Sequence, residues 1–174
     1  MRTVINPQMM FGQIDISAIT FDPKSRDDIP KLLRGLQGIY TNIELRQRVF
    51  AILEEVRPER KKGIGKADMH NGRPGMEQWT ILVLGILRLG CNVDYDRLQE
   101  LVNHHDLFRK MIGLYGWNDK TTYELQTIKY NVQLFTPELL DRINQEVVRA
   151  GHALVKKRSN ERPALNGQGR LIRR

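Results

Sequence analysis

One segment constrains the fold of this chain more than any other. From Met76 to Leu89 the sequence reads MEQWTILVLGILRL, apolar on nearly every side of a helix. Such a helix has to be buried, either at the centre of a packed domain or in a bilayer. A cationic, glycine-rich stretch precedes it and an acidic amphipathic stretch follows it. Three kinds of protein have this order: a membrane anchor, an enzyme core behind a phosphate loop, and a nucleic-acid-binding domain with this helix as its core. The membrane reading fails on length. The run Ile81 to Leu87 contains Gly85 and ends at Arg88, well short of the ~20 residues that a span needs.

The phosphate-loop reading fails on detail. The stretch KKGIGKAD lacks the opening glycine of that motif, has Ala67 where a Ser or Thr would hold magnesium, and follows no strand. A basic linker that touches a nucleic-acid backbone fits it better. The bulk charge agrees: at +8 and a pI near 9.8, the chain favours a polyanionic partner, nucleic acid first and anionic membrane second. Its 40% hydrophobic content supplies a packed core and argues against wholesale disorder. The lone cysteine, Cys91, allows no internal disulfide and fits a reducing cytosol. The first residues have one early cation and no apolar region behind it, so no signal peptide is expected. The expected location is cytoplasmic and nucleoid-associated.

Helix signals place the fold class as mainly α. Residues 1–24 have no helical period, and Ile14, Ile16, Ile19 and Phe21 read as an extended arm docked on the domain. Residues 25–57 read as a helical pair. The first helix is capped by Asp27 or Asp28, with Pro30 in its first turn and Ile29, Leu32, Leu33, Leu36 and Ile39 on one face. Thr41 and Glu44 have the spacing of a capping box for the second, whose buried stripe is Leu45, Val49, Ile52, Leu53 and Val56. Residues 58–75 form a basic linker. Residues 76–156 form the helical domain proper: the apolar helix stopped by Gly90, a helix capped by Asp94, a short one around Leu107 to Ile112, one from Lys120 to Gln133, and a last one opened by Thr136 and Pro137. From Lys156 the chain is basic, and residues 157–174 are expected to be a disordered tail.

Two further constellations carry chemistry on paper. Asp96, Glu100 and His104 fall on one helix face, with His105 and Asp106 beside them, which is metal-ligand spacing. Arg97 and Gln99 mark that face as an ordinary solvated one, so no metal is expected there. Cys91 with His104 or His105 is the one nucleophile pairing worth naming. No cation sits beside the thiol to lower its pKa, so a buried, inert thiol is expected.

For DNA contact, the linker cations Arg60, Lys61, Lys62, Lys66 and Arg73 are candidate phosphate contacts. The expected 120–133 helix presents Lys120, Thr121, Thr122, Tyr123, Gln126, Thr127, Lys129 and Tyr130, donors and acceptors for phosphates and base edges. With the short helix Asp106–Ile112 before it, this is a helix-turn-helix-like element with a longer turn than usual. A plain solvated polar face accounts for the composition equally well.

The segments NPQMMFGQIDIS, SRDDIPKLLRGLQ, NGRPGMEQW, ILVLGILRLG, DYDRLQELVN and TPELLDRINQEVVRAGHALVKK carry a resemblance. From about Arg2 to Arg158 the chain resembles the N-terminal region of bacterial insertion-sequence transposases of the ISNCY group. The resemblance implies DNA as partner, through the element's terminal inverted repeats, together with a second copy of the chain or the full-length transposase. In such proteins the helical region precedes an RNase H-like core, whose DDE carboxylates hold two divalent metal ions such as magnesium. The expectation is that this chain stops short of that core. It would then have no catalytic carboxylate, no cofactor of its own and no enzymatic activity alone, since two-metal catalysis needs carboxylates converging from a sheet. Asp94, Asp96 and Glu100 are not promoted to that role. Back-translated with allowed codons and read one nucleotide later, Gln168 to Arg174 yields RGDSFVV, like the family's continuation GRGDSFVV. The expected function is a truncated or frameshifted DNA-binding portion of a transposase, and the alternative is a stand-alone regulator or inhibitor of transposition.

Overall fold

A computed structural model describes residues 3–6, 8, 11–56, 75–115 and 119–161, the side chains of 154, 155 and 157–161 excepted. Its regular structure is one short 3-10 turn and seven helices, with no strand among the described residues. The helices are α1 (Asp28–Thr41), α2 (Ile43–Glu54), α3 (Gln78–Gly90), α4 (Tyr95–His104), α5 (Asp106–Met111), α6 (Leu125–Val132) and α7 (Pro137–Glu161).

α3 is the centre. Trp79, Ile81, Leu82, Val83, Leu84 and Leu87 are all buried, and α1, α2, α4 and α6 pack around it. α7 lies along α2, and α5 bridges α1 and α4. Leu33 and Leu36 of α1 and Val49 and Leu53 of α2 belong to the same apolar cluster as α3. The helical pair and the later helices therefore share one core. Two buried polar side chains stitch it: Gln78 Nε2 donates to Val56 O at 3.0 Å and Trp79 Nε1 to Met111 O at 3.0 Å. The second closes the end of α5, and the first holds the chain just past α2.

α3 begins at Gln78, slightly later than the apolar pattern starts, because the arm takes over its cap. Gln78 N donates to Thr3 O at 3.1 Å and Trp79 N to Val4 O at 2.8 Å. Further along the arm, Asp15 caps the 3-10 turn Ile16–Ala18. Gln37 Nε2 reaches the carbonyls of Ile16 at 2.9 Å and Ile19 at 2.8 Å, and both isoleucines are buried. The arm docks as expected, by one turn and a set of carbonyls rather than as a wholly extended strand. Gly90 is the last residue of α3, but the left-handed step belongs to Asn92, at φ 48°. Val93 N then returns to Arg88 O at 3.1 Å, the closure of a Schellman motif. Gly90 serves packing instead: an added Cβ would lie 2.7 Å from Leu32 Cδ1.

The caps expected at Asp27, Asp94 and Thr136 are made, to Ile29 N, Arg97 N and Leu139 N respectively. Three local expectations are corrected. Thr41 does not open α2; its hydroxyl donates back to Gln37 O at 2.9 Å, as a Thr inside a helix does, and Asn42 caps α2 through Leu45 N. The helix expected from Lys120 begins only at Leu125. Side chains of α4 and α5 hold the preceding residues out of the helix: Asn103 Oδ1 accepts from Tyr123 N at 2.8 Å, Gln99 Nε2 donates to Tyr123 O at 3.0 Å, and Arg109 donates to Thr121 O at 2.9 Å. With the backbone of Thr121 and Tyr123 engaged this way, the β-branched Thr121 and Thr122 gain little from a helix. Finally, α7 runs past Lys156 to Glu161. Nothing in that sequence breaks a helix before Pro163, and cations near a helix C-terminus are favourable.

Candidate nucleic-acid interface

α6 turns Ile128, Asn131 and Val132 into the core. The 3.6-residue period leaves Gln126, Tyr130 and Gln133 on the opposite side, all exposed, with Lys129 half-buried beside them. Tyr130 is 51% exposed, too much for a core aromatic. Of the sequence-predicted residues, then, Gln126 and Lys129 share the outward face of α6.

Thr121, Thr122 and Thr127 do not. They line a cleft of about 610 Å³ between the arm, the start of α3 and the entry to α6. Glu77, Thr80, Tyr123 and Glu124 line it too, and neither lysine nor arginine is among its described lining. Burial pushes the Glu77 carboxyl up, against a lowering hydrogen bond from Asn6 N. Burial, with Glu77 and Asp119 adding to it, pushes the Tyr123 phenol up to about 12. Two acids and no cation make this cleft a poor place for a phosphate. Lys120 is exposed and makes no ion pair among the described residues. Arg60, Lys61, Lys62, Lys66 and Arg73 lie outside the described residues.

The charge is unevenly divided. Residues 57–74 carry six lysines and arginines against two acids, and residues 162–174 carry four arginines and no acid. These stretches account for the whole net charge of +8; elsewhere cations and acids cancel. Within the helical body several cations are matched. Arg48 meets Glu146 at 2.8 Å, Lys110 meets Asp106 at 2.6 Å and Arg142 meets Glu55 at 2.6 Å. Arg97 pairs with Glu100.

Two cations beside α6 differ. Arg88, at the end of α3, stacks on the Tyr95 ring with Cζ 4.3 Å from the centroid. Lys129 Nζ lies 5.8 Å from the same centroid. From sequence alone Arg88 is only the residue that ends the apolar run, and Tyr95 has no evident role. A cation closing an otherwise apolar helix was the available signal, but the meeting of three helices was not visible in one dimension.

Several residues in and beside the metal-spaced stretch have other partners. Asp94 caps α4, Glu100 pairs with Arg97, His105 Nδ1 accepts from Phe108 N at 3.3 Å, and Asp106 holds Lys110. Among the described residues no group of three or more His, Cys, Asp or Glu side chains could hold a metal ion. Burial, then Asp27 and Asp28, push the Cys91 thiol up, the opposite of what a nucleophile needs. No described helix is long and apolar enough to cross a membrane. No family model, curated protein or solved structure matches this chain.

Proposed function

We propose that this chain is a DNA-binding module, the N-terminal portion of an insertion-sequence transposase, which binds the element's terminal inverted repeats. The observation that carries the reading is the division of charge. A helical body with balanced charges is joined to two stretches, 57–74 and 162–174, that hold the whole +8. Charge concentrated in this way is what phosphate neutralisation and counterion release call for. The sequence segments that resemble ISNCY transposases support the same reading.

Within the body, α6 is the element to present to base edges. Gln126 and Lys129 stand on its outward side with Tyr130 and Gln133, and a glutamine or lysine in such a position can read a base edge in the major groove. α4 is its packing partner and α3 lies beneath, so the helix-turn-helix-like pairing on this reading is α4 with α6.

The test is a titration of the purified chain against terminal-repeat and scrambled duplexes at two salt concentrations. Retardation of both at low salt, with preference for the terminal repeat as salt rises, is the expected result. No retardation of any duplex at low salt overturns the reading.

A further inference from the structure

Arg88, Tyr95 and Lys129 come from three helices and meet at one ring. The Arg88 guanidinium lies against Tyr95 at 4.3 Å and Lys129 Nζ stands 5.8 Å from the same centroid. Arg88 Nε is buried without a hydrogen-bond partner. Neither cation forms an ion pair within the described residues, although Asp96 is adjacent to Tyr95 in sequence. Asp94, on the other side of Tyr95 in sequence, is occupied by the backbone of its own helix.

The arrangement is costly as it stands. A partly desolvated guanidinium without a carboxylate loses hydration that nothing returns, and a second cation beside the same ring adds repulsion. Stacking on an aromatic face recovers part of that and fixes the guanidinium plane. An anion brought to the pair would remove both penalties. The two cations are at most about 10 Å apart, the sum of their distances to the ring, a separation that one phosphodiester or two successive ones can bridge. Lys129 also shares the exposed side of α6 with Gln126 and Gln133, so a backbone held here runs beside that face.

We propose that Arg88 and Lys129, with Tyr95 positioning the guanidinium, form a preorganised phosphate clamp for the sugar–phosphate backbone of duplex DNA alongside α6. The assignment rests on the DNA-binding reading and gives it contacts within the charge-balanced body.

The experiment measures affinity for a scrambled and a terminal-repeat duplex between about 50 and 200 mM salt. Arg88→Gln and Lys129→Gln should each flatten the log–log salt dependence by about 0.9, equally on both duplexes. Arg97→Gln, which removes a cation already paired with Glu100, should leave the slope alone. Tyr95→Leu should weaken binding several-fold without changing the net charge, and Tyr95→Phe, which keeps the ring, should recover most of the loss. Circular dichroism and a melting curve on each variant separate lost contact from lost fold; Lys129, half-exposed, keeps the test open should Arg88→Gln unfold. Folded Arg88→Gln and Lys129→Gln proteins with the wild-type slope would show the trio to be a packing contact and overturn the clamp. A wild-type chain that retards no duplex overturns the DNA reading and the clamp together.

Discussion

Replacing Trp79 by Phe tests whether α3 organises the core as its burial implies. The indole is 1% exposed. It contacts Tyr40 of α1 at 5.6 Å and Phe50 of α2 at 6.0 Å between ring centroids, and its Nε1 donates to Met111 O, the last residue of α5. One side chain therefore ties α3 to three other helices. Phe keeps a ring but removes the pyrrole side, opening a void of about 40 Å³, worth about 1 kcal/mol at about 24 cal/mol per Å³. The lost hydrogen bond and the stranded buried carbonyl cost about 1–3 kcal/mol more. The expected loss is about 2–4 kcal/mol, or a fall in Tm of about 2–4 °C per kcal/mol for a chain of this size. Urea unfolding followed by circular dichroism measures it, with Leu89→Ser as control, since Leu89 is 58% exposed and should change stability by no more than about 0.5 kcal/mol. A Trp79→Phe protein within about 0.5 kcal/mol of wild type would refute the claim that this side chain closes α5 and packs the centre.

Three further outcomes follow from particular residues. The Tyr123 phenol, pushed from 10 up to about 12, favours its protonated form in the folded chain. Its contribution is fully present below pH ~10 and is lost as pH rises from ~10 towards ~12, by about 2–3 kcal/mol at most; urea midpoints across that window should fall less in Tyr123→Phe. Gln37→Leu removes the donor shared by the Ile16, Ser17 and Ile19 carbonyls, so amides of residues 11–24 should exchange faster while those of α3 do not, and uniform acceleration would deny the arm its latch. On the DNA reading, Gln126→Ala should cost about 1–3 kcal/mol on the terminal repeat and little on scrambled DNA, whereas neutralising Arg60, Lys61, Lys62 and Lys66 should weaken both alike; equal losses for Gln126→Ala would show that α6 does not read sequence.

What the sequence made legible was local. Asp27, Asp94 and Thr136 were readable as caps because each bonds to an amide two or three residues ahead, and α3 was readable because a helix apolar on all sides has one soluble destination. Thr41 misled because a better cap, Asn42, sits next to it and the Thr hydroxyl had a carbonyl behind it. The start of α6 was illegible for a different reason. Tyr123 is held by Asn103 and Gln99, twenty or more positions earlier, and no windowed pattern contains that information. The same holds for the candidate site. Gln126 and Lys129 share a helix face by spacing alone, but Thr121 and Thr122 were separated from them by those tertiary hydrogen bonds. Arg88 joins Lys129 only because α3, α4 and α6 converge on Tyr95.

The distribution of charge and the position of α6 bear on one another. If all the affinity for a polyanion lay in residues 57–74 and 162–174, the body would be carried to DNA in any orientation, because cations in those stretches sense phosphate density and not sequence. Reading a base requires register, and register requires fixed contacts at the reading helix. In the described body several cations are matched by carboxylates, and on the DNA reading those that are not are the ones free to orient it. Arg88 and Lys129 are such a pair, and they lie beside α6 rather than beside the acidic cleft where Thr121 and Thr122 fall. On the DNA reading a chain built this way separates attraction from base reading: neutralising the basic stretches or the clamp should lower affinity on every duplex alike, while only Gln126→Ala should lower the preference for the terminal repeat.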